Sequence, residues 1–212
     1  MMVEKISYSQ SGDTLIWENY DSKGERDGNW IGYVDDSFIK GNYKDGLMEG
    51  QWIYYYNNGQ IKGKGHFKKG DGTKLGTLGI PRHGRDKLWT FWYNNGQEED
   101  QVTYVGGIKN GLQINWYETG QKRMEGHWKD GQLDGKWTSY YENGQIGREE
   151  YFKDKKLDSK LILYYENGNI DIQGSFKKGI VDKYSFTEEG RILIGKWTYY
   201  NEDGSIKKVE EY

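Results

Sequence analysis

The chain has no cysteine, no alanine, a single proline (Pro81) and only three histidines in 212 residues. Without cysteine it can form neither disulfides nor thiolate metal sites, and its compartment cannot be read from thiol usage. No apolar run reaches the length of a membrane-spanning helix or a signal-peptide core. Leu, Ile, Val and Phe together number 40, a level at which disorder becomes a live reading. Disorder also requires high net charge and few aromatics, whereas here the net charge is -3 and aromatics make up 16%. The 30 basic residues are balanced by 33 acidic ones, so there is no basic footprint for a nucleic-acid backbone.

What the chain has is repetition. "QWIYYYNNGQI" (Gln51 to Ile61), "LWTFWYNNGQE" (Leu88 to Glu98), "KWTSYYENGQI" (Lys136 to Ile146), "KLILYYENGNI" (Lys160 to Ile170) and "KWTYYNEDGSI" (Lys196 to Ile206) share one pattern. Nine turn positions align, at Gly24, Ser37, Gly59, Gly96, Gly120, Gly144, Gly168, Gly190 and Gly204, with a 24-residue spacing from Gly96 to Gly168. Four residues before the turn position every unit has an aromatic, and seven before it six of the nine have tryptophan. Asn-Gly between β-prone runs is a strong hairpin signal, because tight turns need residues that tolerate positive φ. Side chains alternate faces along a strand, so the tryptophans share a face with Tyr56, Tyr93, Tyr117, Tyr141 and Tyr165, three before the turn. A second aromatic recurs eight after the turn, at Phe67, Tyr104, Trp128, Phe152 and Phe176.

These columns predict an all-β fold: an elongated, twisted antiparallel meander of about nine tandem hairpins and up to about eighteen strands, a single layer or open solenoid. The chain reads as one repeat-array domain over 1–212, with short terminal repeats at about 13–40 and 184–212. Between Gly59 and Gly96 lie 37 residues, which is the period plus 13. The surplus is an insertion loop at 71–83. Despite its glycines it lacks the Gly-Lys pair and following helix of a phosphate-binding loop. It is locally basic, and Lys74, Arg82, His83 and Arg85 form a candidate contact loop for an anionic partner. Excising the loop is expected to leave the fold intact.

The pattern of Trp, two residues, Tyr-Tyr, Glu/Asn-Asn-Gly-Gln resembles the bacterial variant of the MORN repeat found in YwqK-type antitoxins, from about Trp17 to Lys208. Gln113 and Leu161 depart from it, standing where tryptophan is expected. The resemblance implies an antiparallel β array used for protein association, and the antitoxin label implies neutralising a partner toxin. It brings no set of functional residues with it.

The chemistry of catalysis is thin. His66 and His127 occupy one repeat position and would lie roughly 19 Å apart, too far to share a metal. Glu118, Glu142 and Glu166 recur beside the turns, which is turn chemistry rather than one active centre. No Ser/His/Asp order, zinc-binding helix motif or Walker sequence is present. The expectation is therefore a non-enzymatic scaffold with no cofactor and no metal, which binds a protein partner such as a toxin. Its candidate exposed aromatic strip is Tyr56, Tyr93, Tyr117, Tyr141 and Tyr165. The alternatives are a peripheral lipid- or envelope-associated scaffold and a carbohydrate-binding aromatic array. Homo-oligomers through the array ends are a further expectation, with a cytoplasmic location, or an envelope one if an export signal precedes Met1.

Overall fold

The computed structural model describes residues 3–8, 15–34, 37–76, 78–153, 156–178 and 191–212. Its strands are β1 (Val3–Tyr8), β2 (Leu15–Tyr20), β3 (Gly28–Val34), β4 (Ser37–Lys44), β5 (Leu47–Tyr55), β6 (Ile61–Gly70), β7 (Arg85–Trp92), β8 (Glu98–Val105), β9 (Ile108–Trp116), β10 (Lys122–Lys129), β11 (Gln132–Tyr140), β12 (Ile146–Lys153), β13 (Lys156–Tyr164), β14 (Ile170–Lys178), β15 (Arg191–Tyr200) and β16 (Ile206–Glu211). Strand order in the sheet is chain order, so the protein is an all-β, open antiparallel meander, with no helix among the described residues. Two compact units comprise residues 1–110 and 111–212.

Sixteen strands are described rather than eighteen. Gly24 and Ser37 are only 13 residues apart, which leaves room for one shared strand, β3, and not two. Ser37 itself opens β4, paired with Val34. The Gly190 position, and the start of the terminal repeat expected from 184, lie outside the described residues.

The repeated turn has one geometry. Gly59 N donates to Tyr56 O at 2.9 Å and Tyr56 N to Gln60 O at 2.8 Å, and the same pair of bonds closes the turns at Gly96, Gly120, Gly144, Gly168 and Gly204. Gly59 has φ 84°, while the asparagine before it does not enter the left-handed region. This is a turn followed by a glycine bulge, not a two-residue turn with both residues at positive φ. The asparagine acts instead through its side chain: Asn58 Oδ1 accepts from Gln60 N at 3.0 Å, and Asn143 and Asn167 do the same in their turns.

The tryptophan face is buried within the sheet itself. Trp30, Trp52, Trp89, Trp137 and Trp197 are all buried, and Trp89 is fully enclosed. Each of the last four lies across a glycine of the preceding strand. A Cβ built on Gly41, Gly65, Gly126 or Gly174 would meet the ring of Trp52, Trp89, Trp137 or Trp197 at 2.1 or 2.2 Å. Strand register shifts at each of these glycines, between Lys40/Asn42, Lys64/His66, Glu125/His127 and Gln173/Ser175. The indole Nε1 then donates to the carbonyl of the next residue, Asn42, His66, His127 or Ser175, at 2.9 to 3.2 Å. The aromatic eight after the turn completes the ladder: Phe67 meets Trp52 and Trp89 edge-on, with centroids at 6.1 and 4.9 Å. Trp30, the first of these buried tryptophans, is not laid across a glycine in this way, and its buried Nε1 has no hydrogen-bond partner among the described residues.

Exceptions obey the same logic. Where leucine replaces tryptophan at 161, its cross-strand partner is Glu150 rather than glycine. The register shift then moves two residues along, to Tyr151/Lys153. Gln113, the other departure, is also buried, and its Oε1 accepts from Trp128 Nε1 at 2.7 Å.

The insertion is packed into the array, which argues against the expectation that it can be excised freely. It folds back on itself: Leu75 bridges Pro81, Gly76 N donates to Ile80 O at 3.0 Å and Gly79 N to Gly76 O at 3.0 Å. Ile80, 1% exposed, belongs to the same buried cluster as Trp52, Phe67, Trp89 and Phe91. The flanking hairpins keep the common turn geometry on either side, as the residue count requires.

Candidate functional site

The tyrosine strip expected to be exposed is half-buried at every position. Four of its hydroxyls bind within the array. Tyr56 OH donates to Trp92 O at 2.7 Å, Tyr117 OH to Tyr140 O at 2.8 Å, Tyr141 OH to Tyr164 O at 2.6 Å and Tyr165 OH to Tyr200 O at 2.9 Å. Each acceptor is the aromatic four before the next turn. The turn asparagines run parallel to this ladder: Asn58, Asn143 and Asn167 Nδ2 donate to the carbonyls of Asn94, Glu166 and Glu202 in the following turn. Tip-to-tip cohesion thus occupies much of the surface first assigned to a partner. Tyr141→Phe keeps the ring and removes one donor, so it is expected to lower stability by about 1 kcal/mol in urea titration.

The basic loop does not form one surface. Lys74 and His83 are exposed, and His83 Nδ1 lies 3.0 Å from Asp71 Oδ1. Arg82 is half-buried. Arg85 is 4% exposed, which corrects its assignment as a contact residue. Its Nε donates to Pro81 O at 2.7 Å, one terminal nitrogen to Ile80 O at 2.9 Å and the other to Tyr104 OH at 3.1 Å. The guanidinium also lies 4.8 Å from the Trp89 ring and 5.0 Å from the Phe91 ring. Arg85 is the internal clamp of the connector, and the sequence sign of that role is its place two residues beyond the insertion, after Gly84.

On the face opposite the tryptophans, the position five residues after the turn glycine holds a carboxylate in two consecutive repeats, Glu125 and Glu149, where other repeats have Lys64, Gln101 and Gln173. Glu125 Oε1 accepts from Tyr140 OH at 2.5 Å and its Oε2 lies 2.9 Å from Lys122 Nζ. One repeat on, Glu149 is 6% exposed; its Oε1 is 2.5 Å from Lys136 Nζ, and its Oε2 accepts from Tyr151 and Tyr164 at 3.2 and 3.3 Å. Burial and the bond to Glu125 together push the Tyr140 phenol up to about 12. Burial alone would raise the Glu149 carboxyl, but the bond and attraction of Lys136, with Tyr151 and Tyr164, outweigh it and hold Glu149 below the ordinary carboxylate range.

A depressed carboxylate contributes stability that is fully present above its unfolded pKa, near 4, and is lost as pH falls through the lower folded value. Glu149→Gln is accordingly expected to flatten the acid limb of a stability-against-pH curve below about pH 5, and an unchanged limb would show that the carboxylate contributes nothing there. No group of three or more His, Asp or Glu residues that could hold a metal ion occurs among the described residues.

No curated protein matches the chain significantly. The MORN repeat variant model matches it at residues 48–69, 109–130, 133–154, 157–178 and 193–212. Those segments coincide with the hairpins β5–β6, β9–β10, β11–β12, β13–β14 and β15–β16 and cover about half of the sequence, so the chain belongs to the MORN repeat variant family and is a β-sheet scaffold built of such repeats.

Proposed function

We propose that this scaffold is non-enzymatic and binds a protein partner, with an antitoxin or immunity role as the specific form of that activity. The observation that carries the reading is an apolar patch in the first unit. Leu88 is 50%, Val105 59% and Ile108 53% exposed. Leu88 pairs with Thr103, so it shares a face with Val105 two residues along β8, and Ile108 opens β9 after the Gly106–Gly107 turn. Three other repeats place lysine in the Leu88 column, at Lys136, Lys160 and Lys196. Leucine there, as at Leu112 in the same column one repeat on, forgoes the solvation that those lysines keep, and grouped exposed apolar residues mark contact surfaces.

Affinity capture from the source cell is expected to recover one protein at near-stoichiometric amounts with the wild type, and to lose it with Leu88→Lys/Val105→Lys. Recovery of no such protein, or equal recovery by the folded double variant, would overturn the reading.

A further inference from the structure

We propose that the open groove between β13, β14, β15 and β16 binds a carboxylate presented by an acidic segment of a protein partner. This deepens the reading above and rests on it. The groove has a volume of about 300 Å³, lined by Lys160, Gln173, Ser175, Lys196, Thr198 and Tyr200, together with Gly174 and Ile206.

The neighbouring repeat shows what belongs there. There Lys136 and Tyr151 of one repeat and Tyr164 of the next surround the Glu149 carboxylate. Twenty-four residues on, Lys160 occupies the lysine column, and Tyr200 stands four before its turn as Tyr164 does. The two positions that fill the space have changed: Glu149 is replaced by the neutral Gln173, and Tyr151 by the small Ser175. Lys196, from the next repeat, adds a second ammonium. The result is a carboxylate-binding frame that lacks its own carboxylate.

The donors fit that vacancy. Neither Lys160 nor Lys196 forms an ion pair among the described residues, and both are exposed. Gln173 Nε2 donates to Tyr200 OH, which turns the phenol oxygen into an acceptor and leaves its proton to be given away. Thr198 is buried beside Gln173 in register. Glu211 pairs with Lys196 in register, yet it is not part of the groove lining and forms no ion pair with it. Two ammonium groups and hydroxyl donors facing an anion can make the charge-assisted bonds that Glu149 makes internally with Lys136, Tyr151 and Tyr164. The exposed Ile206, 63% accessible, offers apolar surface to the methylenes behind a glutamate carboxylate.

The test uses the full chain and a capped peptide of alternating glycine and glutamate, followed by NMR. Saturable shifts centred on Lys160, Lys196, Thr198 and Tyr200 are expected, with no binding of the glutamine version. Lys160→Gln/Lys196→Gln should weaken binding at least about tenfold, the value of one charge-assisted bond. Gln173→Glu should abolish it by supplying the missing carboxylate from within, with an unchanged or higher unfolding midpoint.

Equal binding of the glutamine peptide, absence of groove shifts, or undiminished binding by folded Gln173→Glu would each overturn the proposal. Binding of an oligogalacturonate without the peptide would overturn its assignment to a protein partner. If the wild type and Lys160→Gln/Lys196→Gln capture the same cellular protein equally, the groove assignment fails while the scaffold reading stands.

Discussion

Gly65→Val is expected to unfold the first unit's core or to cost it about 3–5 kcal/mol, as much as deleting a buried tryptophan. The new Cβ would stand 2.1 Å from the Trp89 ring, and Trp89 has nowhere to go. It is fully enclosed, packed edge-on against Phe67 at 4.9 Å, beside Phe91 at 5.7 Å, and hydrogen-bonded to His66 O. Gly59→Ala is the control, because nothing lies within 4 Å of that Cβ and only its φ of 84° is strained. It should cost about 1 kcal/mol. The sequence supplies the rescue in its own Glu150 and Leu161: a smaller residue in the tryptophan column tolerates a side chain opposite. Gly65→Val/Trp89→Leu should therefore be more stable than Gly65→Val alone, and a double-mutant cycle in urea measures the coupling. Additive losses would sink the interlock.

Excising residues 71–83 is expected to be nearly as damaging. The cut removes Ile80 from the cluster around Trp89, a loss of about 2–5 kcal/mol by itself. It also takes away the carbonyls of Ile80 and Pro81, leaving the Arg85 guanidinium buried with only Tyr104 OH of its three hydrogen-bond acceptors. Burial already lowers the Arg85 pKa from its ordinary value against the support of Tyr104, the mark of a cation that depends on every remaining partner. Excision combined with Arg85→Leu should recover part of the loss, because an apolar residue does not require those acceptors. A thermal melt of the excised chain that matched wild type would restore the view of the segment as a dispensable loop.

The repeat was legible because one column chemistry, aromatic then Asn-Gly, recurs at a fixed count and dictates hairpins. The glycine under each tryptophan was legible too, as "GNY", "GHF", "GHW" and "GSF", but its meaning was not. A glycine inside a strand reads as weakness until the ring that covers it is seen. The hydroxyl ladder was hidden for another reason. Tyr141 would read the same whether its oxygen met water or Tyr164 O, since a strand pattern fixes a face but not a bond. The groove needed both levels: the exchange of Glu149 for Gln173 is visible in a column, yet only the bonds around Glu149 say what the exchange removes. Arg85 escaped because its partners are carbonyls of a connector with no repeat to compare it with.

The two ladders run in opposite senses along the chain. Tryptophans reach back to the repeat before them, while the tyrosine hydroxyls and turn asparagines reach forward to the one after. Removing hairpins from the two ends therefore exposes different chemistry. Shortening from the C-terminal side uncovers a grooved strand of glycine and leaves small polar donors that water readily serves. Shortening from the N-terminal side strands an indole on the surface with its buried partner gone. The array has a soluble direction and a sticky one, so fragments of equal length from this chain should differ in aggregation according to which end was cut.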